Sequence, residues 1–261
     1  MRFLPILFLL LAGPLAAQDS PLRAMQTGHA SKGWEGVGRL DISGKGFCTA
    51  ALITDRLILT AAHCLYDTDG TLIDTNRFVF EAGLRNGRSE ASRGITRAMA
   101  HPDYKHLGSD RDITEIASDV AILSLGQPVR NGRVKPYPIA TEPQAGDEIG
   151  IVSYARERSE APSLQEVCSV MGQQSGVLLM SCSIDFGSSG APVFKVQNGR
   201  AHIVSVVSAM ANVAGKKIAL GTSLTQPLND LLAAFNSAAP AQAGIIQGGQ
   251  QSDTGAKFVR P

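Results

Sequence analysis

The sequence predicts an all-β protein with its strands in two sets, and three observations support this prediction. Short apolar stretches of strand length recur along the chain, many of them rich in β-branched residues and few with helical spacing. Asn-Gly pairs, which favour tight hairpin turns because both residues tolerate positive φ, separate several of these stretches. A seam rich in proline and polar residues, Gln127–Pro138, divides the stretches into two sets, each of a size that suits a small barrel.

Examples of these apolar stretches, each expected to form a strand, follow in chain order. They are Phe47–Ile53, Arg56–Leu59, Phe78–Phe80, Val120–Leu125, Ile149–Val152, Val177–Met180, Val193–Val196 and His202–Val207. The Asn-Gly pairs are Asn86-Gly87, Asn131-Gly132 and Asn198-Gly199. Beyond the last strand, Pro227–Phe235 has apolar residues at helical spacing, which predicts a short helix that packs on the second barrel. Ala, Gly, Gln and Pro dominate the tail over 237–261, so we expect the tail to be disordered.

Size, charge and the N-terminus narrow the class of protein. The 261 residues suffice for one large domain or two small ones, and a net charge of +1 gives no reason to expect nucleic acid as a partner. Arg2, the apolar stretch Phe3–Ala12 and small residues up to Ala17 predict a signal peptide over 1–17. That stretch is shorter than the roughly 20 residues of a membrane span. We therefore expect a secreted or periplasmic protein without a stable membrane anchor, in which 18–34 is an N-terminal segment or a propeptide.

The four cysteines are expected to form disulfides, because an exported protein meets an oxidising compartment. They are Cys48, Cys64, Cys168 and Cys182, and the residues alone leave all three pairings open. A zinc site is disfavoured because the sequence has neither a C-x-x-C nor an H-x-x-x-H spacing. We expect neither a metal nor another cofactor.

Three short motifs supply the groups of a nucleophilic catalyst. His63 follows an apolar run within Thr60-Ala61-Ala62-His63-Cys64, and Asp119 comes just ahead of another such run. Ser189 lies in the glycine-flanked turn Gly187–Pro192. A serine hydroxyl needs a base to take its proton, and an imidazole oriented by a carboxylate suits that task. We therefore assign His63 as the base, Asp119 as the carboxylate and Ser189 as the nucleophile.

The turn around Ser189 also predicts an oxyanion hole. Gly187 has no Cβ, so its backbone N–H can face inward beside the N–H of Ser189. Two such donors would stabilise the negative charge that develops on a carbonyl oxygen during acyl transfer. A glycine-rich hairpin alone would explain the glycines but not the distant His63 and Asp119.

These motifs resemble those of the trypsin-like, chymotrypsin-fold serine protease family, over roughly residues 35–235. The resemblance implies two six-stranded antiparallel β-barrels, about 35–130 and 136–225, with the site in the cleft between them and a C-terminal helix at about 227–235. It implies a secreted serine endopeptidase that hydrolyses peptide bonds through an acyl-enzyme intermediate. It also favours disulfides Cys48–Cys64 and Cys168–Cys182.

The nucleophile turn departs from the common form of the family. Ser188 stands where the family has an aspartate, and Ala191 replaces a glycine. These departures resemble the glutamyl endopeptidase-like and other bacterial branches. Since the aspartate of the family receives a freed N-terminal ammonium, we expect this chain to need no such activation step.

The resemblance also suggests a specificity pocket formed by Ser183, Ser208 and Met210. Ser183 would give the base of the pocket no charge, and Met210 would narrow its mouth. Val207 stands where a glutamyl endopeptidase would carry a histidine, so a preference for Glu is not supported. We expect a small or medium apolar side chain on the substrate.

The expected partner is a protein or peptide substrate, bound by a monomer. The alternative is a catalytically weak binding or regulatory module on a protease fold, because a fold does not guarantee a function. An esterase of the α/β-hydrolase class is disfavoured, since it needs G-x-S-x-G and the order Ser, Asp, His. Here the order is reversed and Ala191 stands at the last glycine.

Overall fold

The computed structural model describes residues 19–108, 112–213 and 215–238. The signal peptide expected at 1–17 lies outside these residues, as does all of the expected disordered tail after Ala238.

Thirteen strands and two α-helices make up the described part of the chain. The strands are β1 (Arg23–Ala24), β2 (Val37–Ile42), β3 (Gly46–Leu52), β4 (Leu57–Thr60), β5 (Phe78–Ala82), β6 (Ala91–Ala100), β7 (Ala121–Leu125), β8 (Glu148–Ala155), β9 (Arg158–Gln174), β10 (Val177–Met180), β11 (Pro192–Gln197), β12 (Arg200–Val213) and β13 (Lys216–Ser223). The helices are α1 (Ile113–Ala117) and α2 (Thr225–Ser237), with short 3₁₀ turns at Ala62–Leu65 and Thr75–Arg77.

Strands β2 to β7 close into an antiparallel barrel. Its order is β2-β3-β4-β7-β6-β5, with β5 returning to pair with β2. Alternate side chains point inward, and Leu40, Leu52, Ile58, Phe80 and Ile122 are all fully buried there. Closure leaves the six strands without an unpaired edge.

Strands β8 to β13 form a second closed ring. β8 pairs with both β9 and β11, and the ring continues through β10, β13 and β12. Ile151, Val193, Val204 and Ala219 fill a core separate from that of the first barrel. The predicted all-β fold of two six-stranded antiparallel barrels with a C-terminal helix is thus confirmed.

Two of the three Asn-Gly pairs form the expected left-handed turns. Asn86 and Asn198 have φ of 47° and 51°, and the glycine after each also has positive φ. Asn131 behaves differently: its side-chain oxygen accepts the N–H groups of Arg133 and Val134. It shapes the connection between the barrels rather than a hairpin, because a side-chain amide can mimic a turn carbonyl.

The C-terminal helix packs on a different surface from the one predicted. α2 lies against β6 and β7 of the first barrel, so its expected position on the second barrel is wrong. Arg97 of β6 helps to hold α2 on the first barrel, because its guanidinium lies 4.0 Å from the ring centroid of Phe235 and donates to the Phe235 carbonyl at 2.6 Å.

Within the described residues, no helix is long and apolar enough to cross a membrane.

Disulfides brace each barrel at one point. They join Cys48 to Cys64 and Cys168 to Cys182, the pairing that the family resemblance favours. The first links β3 to the turn that carries His63, and the second links β9 to the chain just after β10. A disulfide that closes a loop of this length typically raises the free energy of unfolding by about 3 kcal/mol.

The segment before Trp34 is part of the second barrel. β1 pairs with β9, with Arg23 opposite Leu164 and Ala24 opposite Ser163. Met25 is fully buried, and its N–H donates to the Pro162 carbonyl at 2.8 Å. The N-terminal segment is therefore held by backbone pairing and burial.

Candidate active site

The pairing of β4 with β7 brings His63 close to Asp119. Thr60 at the end of β4 lies opposite Ala121 at the start of β7. The chain leaves β4 into the 3₁₀ turn that contains His63, and it enters β7 from Asp119. Both residues therefore lie at the same end of the first barrel.

Asp119 holds His63 by two hydrogen bonds. Its fully buried carboxylate accepts the His63 backbone N–H at 2.8 Å through Oδ1 and lies 2.7 Å from Nδ1 through Oδ2. A carboxylate accepts only, so Nδ1 carries the proton and the lone pair of the neutral ring is on Nε2. His63 is therefore held in the tautomer that a general base requires.

The second barrel also contributes to the Asp119 site. The Ser208 hydroxyl on β12 donates to Asp119 Oδ2. Thr222 on β13 donates through Oγ1 to the Ile116 carbonyl at 2.7 Å, just ahead of Asp119. The sequence placed Ser208 in the specificity pocket and gave no sign of its contact with Asp119, because only the docking of the two barrels creates that contact.

The turn that carries Ser189 fits closely against the first barrel. Gly190 has φ of +78°, and a Cβ there would overlap Thr60 Oγ1 and the Thr49 carbonyl oxygen. The Thr49 N–H donates to the Ser189 carbonyl at 2.8 Å. Glycine is thus required at 190 both by the backbone conformation and by the approach of β3 and β4.

His63 and Ser189 line one cleft of about 540 Å³ between the barrels. Among the described residues, no hydrogen bond within 3.5 Å joins Ser189 Oγ to the imidazole. Catalytic hydrogen bonds in unliganded sites are often long and tighten when substrate binds. The structure therefore brings His63, Asp119 and Ser189 together, with the His–Asp half already bonded.

Two backbone donors at the nucleophile turn are available to a ligand. Within the described part of the chain, neither the Gly187 N–H nor the Ser189 N–H donates to a protein group. The Phe186 carbonyl accepts the Arg156 N–H at 2.7 Å, so the Gly187 N–H of the same planar peptide points the opposite way. This arrangement suits the predicted oxyanion hole.

The predicted specificity residues separate into two groups. Ser208 and Met210 line the cleft, together with the apolar side chains of Ile184 and Val207. Ser183 does not: it is exposed, and its N–H donates to Gln165 Oε1 at 2.7 Å. Next to the nucleophile turn, the cleft is therefore lined by Ile184 and not by Ser183.

The histidines differ in their surroundings. His101 is buried, its Nδ1 accepts the Asp103 N–H at 3.1 Å, and desolvation lowers its pKa from the ordinary value. Burial therefore disfavours the charged form of His101. His63 has Cys48 and Cys64 close by, with candidate ligand atoms within 4.8 Å, but both sulfurs are committed to the disulfide and offer no thiolate.

Comparisons with known proteins match most of the described chain to one family. The family model described as Trypsin matches residues 26–230. A trypsin from Phaedon cochleariae is 35% identical over 109 residues, which are 40% of this chain and 36% of that protein. Human mannan-binding lectin serine protease 1 is 29% identical over 126 residues, 43% of this chain and 17% of that protein.

A third relative, human serine protease 56, is 26% identical over 138 residues, 51% of this chain and 21% of that protein. The matches thus span about a third or less of these relatives. All three are animal proteins, and the expected resemblance to a bacterial glutamyl endopeptidase branch is not supported. Since the family model covers residues 26–230, the chain belongs to the trypsin-like serine protease family.

Proposed function

We propose that this chain is an exported serine endopeptidase that uses His63, Asp119 and Ser189. The observation that carries the proposal is the buried Asp119 carboxylate, bonded to the side chain and backbone of His63 in the cleft that Ser189 lines. Each group needed for acyl transfer has a residue in place. Two disulfides agree with an oxidising compartment.

In acylation, Ser189 Oγ attacks the carbonyl carbon of the scissile peptide bond. His63 Nε2 takes the hydroxyl proton, and Asp119 stabilises the imidazolium that forms. The N–H groups of Gly187 and Ser189 bind the oxyanion of the tetrahedral intermediate. The imidazolium then protonates the leaving amine, and the C–N bond breaks to leave an acyl-enzyme.

In deacylation, a water molecule takes the place of the departed amine. His63 Nε2 removes a proton from that water as its oxygen attacks the ester carbonyl of the acyl-enzyme. The same N–H donors hold the second oxyanion, and collapse returns the proton to Ser189 Oγ. The cycle releases a carboxylic acid and restores the starting protonation state.

The Ser189→Ala variant tests the nucleophile. We expect it to fold normally and to lose peptide hydrolysis by a factor of about 10⁶ in kcat, as loss of a triad member typically does. The matched control is Ser183→Ala, because Ser183 is an exposed serine outside the cleft. Hydrolysis of a fluorogenic peptide library by the purified proteins measures the effect, and undiminished turnover by Ser189→Ala would refute the assignment.

The Asp119→Asn variant tests the orienting carboxylate. An amide at that position presents a different tautomer of His63, so kcat near neutral pH should fall by about 10⁴ while the fold persists. Asp103→Asn is the control, since its carboxylate is exposed and outside the cleft. Equal losses in the two variants would show that Asp119 has no special role.

The cleft favours a small or medium apolar substrate side chain. Ile184, Val207 and Met210 provide apolar surface, and Met210 is 38% exposed at the mouth. Met210→Gly should widen the pocket and shift preference toward aromatic side chains by about 10- to 100-fold in kcat/KM ratio. Peptide-library cleavage profiles of the wild-type protein and the Met210→Gly variant check this. An unchanged profile would show that Met210 does not limit the size of the substrate side chain.

Activity should not require a newly cut N-terminus. Ser188 is fully buried and offers a hydroxyl rather than a carboxylate to an incoming ammonium. The measurement compares protein beginning at Gln18, versions trimmed no further than Pro21 so that β1 and the buried Met25 are kept, and acetylated forms of each. We expect kcat to vary by less than about tenfold, since no buried ion pair is being formed. A jump of about a hundredfold at one terminus, lost on acetylation, would contradict this expectation.

A further inference from the structure

We propose that Thr49 is the positioning residue that keeps the two oxyanion peptides in register. This inference rests on the proposed function. Thr49 is fully buried on β3 of the first barrel, whereas the turn that it contacts leads into β11 of the second barrel. The sequence motifs gave no sign of this role.

Thr49 makes two hydrogen bonds to the nucleophile turn. Its backbone N–H donates to the Ser189 carbonyl at 2.8 Å, and its Oγ1 donates to the Gly187 carbonyl at 2.9 Å. The same hydroxyl accepts the Tyr154 N–H at 3.1 Å. A hydroxyl has one proton, and the backbone N–H can only donate, so that proton goes to Gly187.

The position of the Gly187 carbonyl explains why this bond matters. The oxyanion donors are the N–H groups of the Phe186–Gly187 and Ser188–Ser189 peptides, and the Gly187 carbonyl belongs to the peptide between them. Each peptide is planar, so holding the Gly187 carbonyl fixes the plane of the middle peptide, whose own Ser188 N–H donates to the Asp185 carbonyl at 2.9 Å. Since that middle peptide joins the two donor peptides, Thr49 restrains how they are oriented relative to each other.

The neighbouring carbonyls are held by other groups. The Phe186 carbonyl accepts from the Arg156 N–H at 2.7 Å, and the Ser188 carbonyl accepts from the Ala191 N–H at 2.9 Å. Of these three successive carbonyls, the Gly187 carbonyl is the one that accepts its hydrogen bond from a side chain, the Thr49 hydroxyl. Its contribution can therefore be removed by substitution, whereas the backbone bonds cannot.

Thr49 is itself anchored from both barrels. Its carbonyl accepts Thr60 Oγ1 at 2.8 Å in the first barrel, while the Tyr154 N–H reaches its hydroxyl from β8. Tyr154 also accepts Ser188 Oγ through its carbonyl at 3.3 Å. The resulting network consists of backbone groups and hydroxyls, so it holds the turn without a buried charge.

The test compares Thr49→Val, which keeps the side-chain shape, with Thr49→Ser, which keeps the hydroxyl. Thr49→Val should lower kcat for a peptide amide by about 10- to 100-fold, somewhat less than direct loss of an oxyanion donor. KM should change by less than about threefold, because uniform substrate binding is left intact. Affinity for a peptide boronate, whose tetrahedral adduct occupies the oxyanion hole, should fall in parallel with kcat.

A control variant at a second buried hydroxyl separates positioning from general destabilisation. Ser205→Ala removes another buried hydroxyl, one that donates to the Thr222 carbonyl at 2.8 Å and does not line the cleft. It should lower the melting temperature without lowering kcat. If Thr49→Val fails to fold, Thr49→Ala replaces it. Thr49→Ser should restore kcat to within about threefold of the wild-type value.

The possible outcomes distinguish a failure of the proposed function from a failure of the proposed role of Thr49. A wild-type protein that is inactive toward peptides contradicts the proposed function itself. An active wild-type protein with a folded Thr49→Val variant whose kcat lies within twofold of its own contradicts the role of Thr49. Loss of kcat that Thr49→Ser does not rescue, or that Ser205→Ala reproduces, also contradicts it.

Discussion

The Asp119 carboxylate lies fully buried between the two barrels, where hydrogen-bond donors from both barrels surround it. Removing a carboxylate from water is costly unless hydrogen bonds replace the lost hydration. His63 of the first barrel supplies two donors and Ser208 of the second supplies another. The docking of the barrels and the orientation of the candidate base thus depend on the same interaction.

A second constraint is the close approach of the nucleophile turn to β3 and β4. Gly190 leaves room for the Thr49 carbonyl and Thr60 hydroxyl, which a Cβ would displace. That approach in turn lets Thr49 bond to the carbonyls of Gly187 and Ser189. Close packing at one glycine therefore permits the hydrogen bonds that orient the turn.

The sequence predicted features that local pattern determines. Apolar stretches predicted eight of the thirteen strands, and two of the three Asn-Gly pairs form the expected turns. The short motifs around His63, Asp119 and Ser189 predicted which residues the structure brings together. Ser208 was included only as a pocket residue, because its bond to Asp119 arises from strands that are far apart in sequence. Thr49 was missed for the same reason.

The wrong expectation for the packing of α2 also has a physical origin. The amphipathic pattern of α2 showed that one face would be buried but could not show which barrel would cover it, and Arg97 on β6 helps to decide that. The family resemblance suggested Ser183 for the base of the pocket, and in the structure the neighbouring Ile184 lines the cleft. The hydrogen bond from the Ser183 N–H to Gln165 instead holds that part of the chain against β9.

The proposed function requires that the His63–Asp119 pair activates Ser189 for covalent chemistry. Reaction with a fluorophosphonate followed by mass spectrometry of the peptides measures this activation without any knowledge of the natural substrate. We expect a single adduct at Ser189 and its loss, or a rate slower by about 10³-fold or more, in a folded His63→Ala variant. An adduct at another residue, or none on correctly folded wild-type protein, would contradict it.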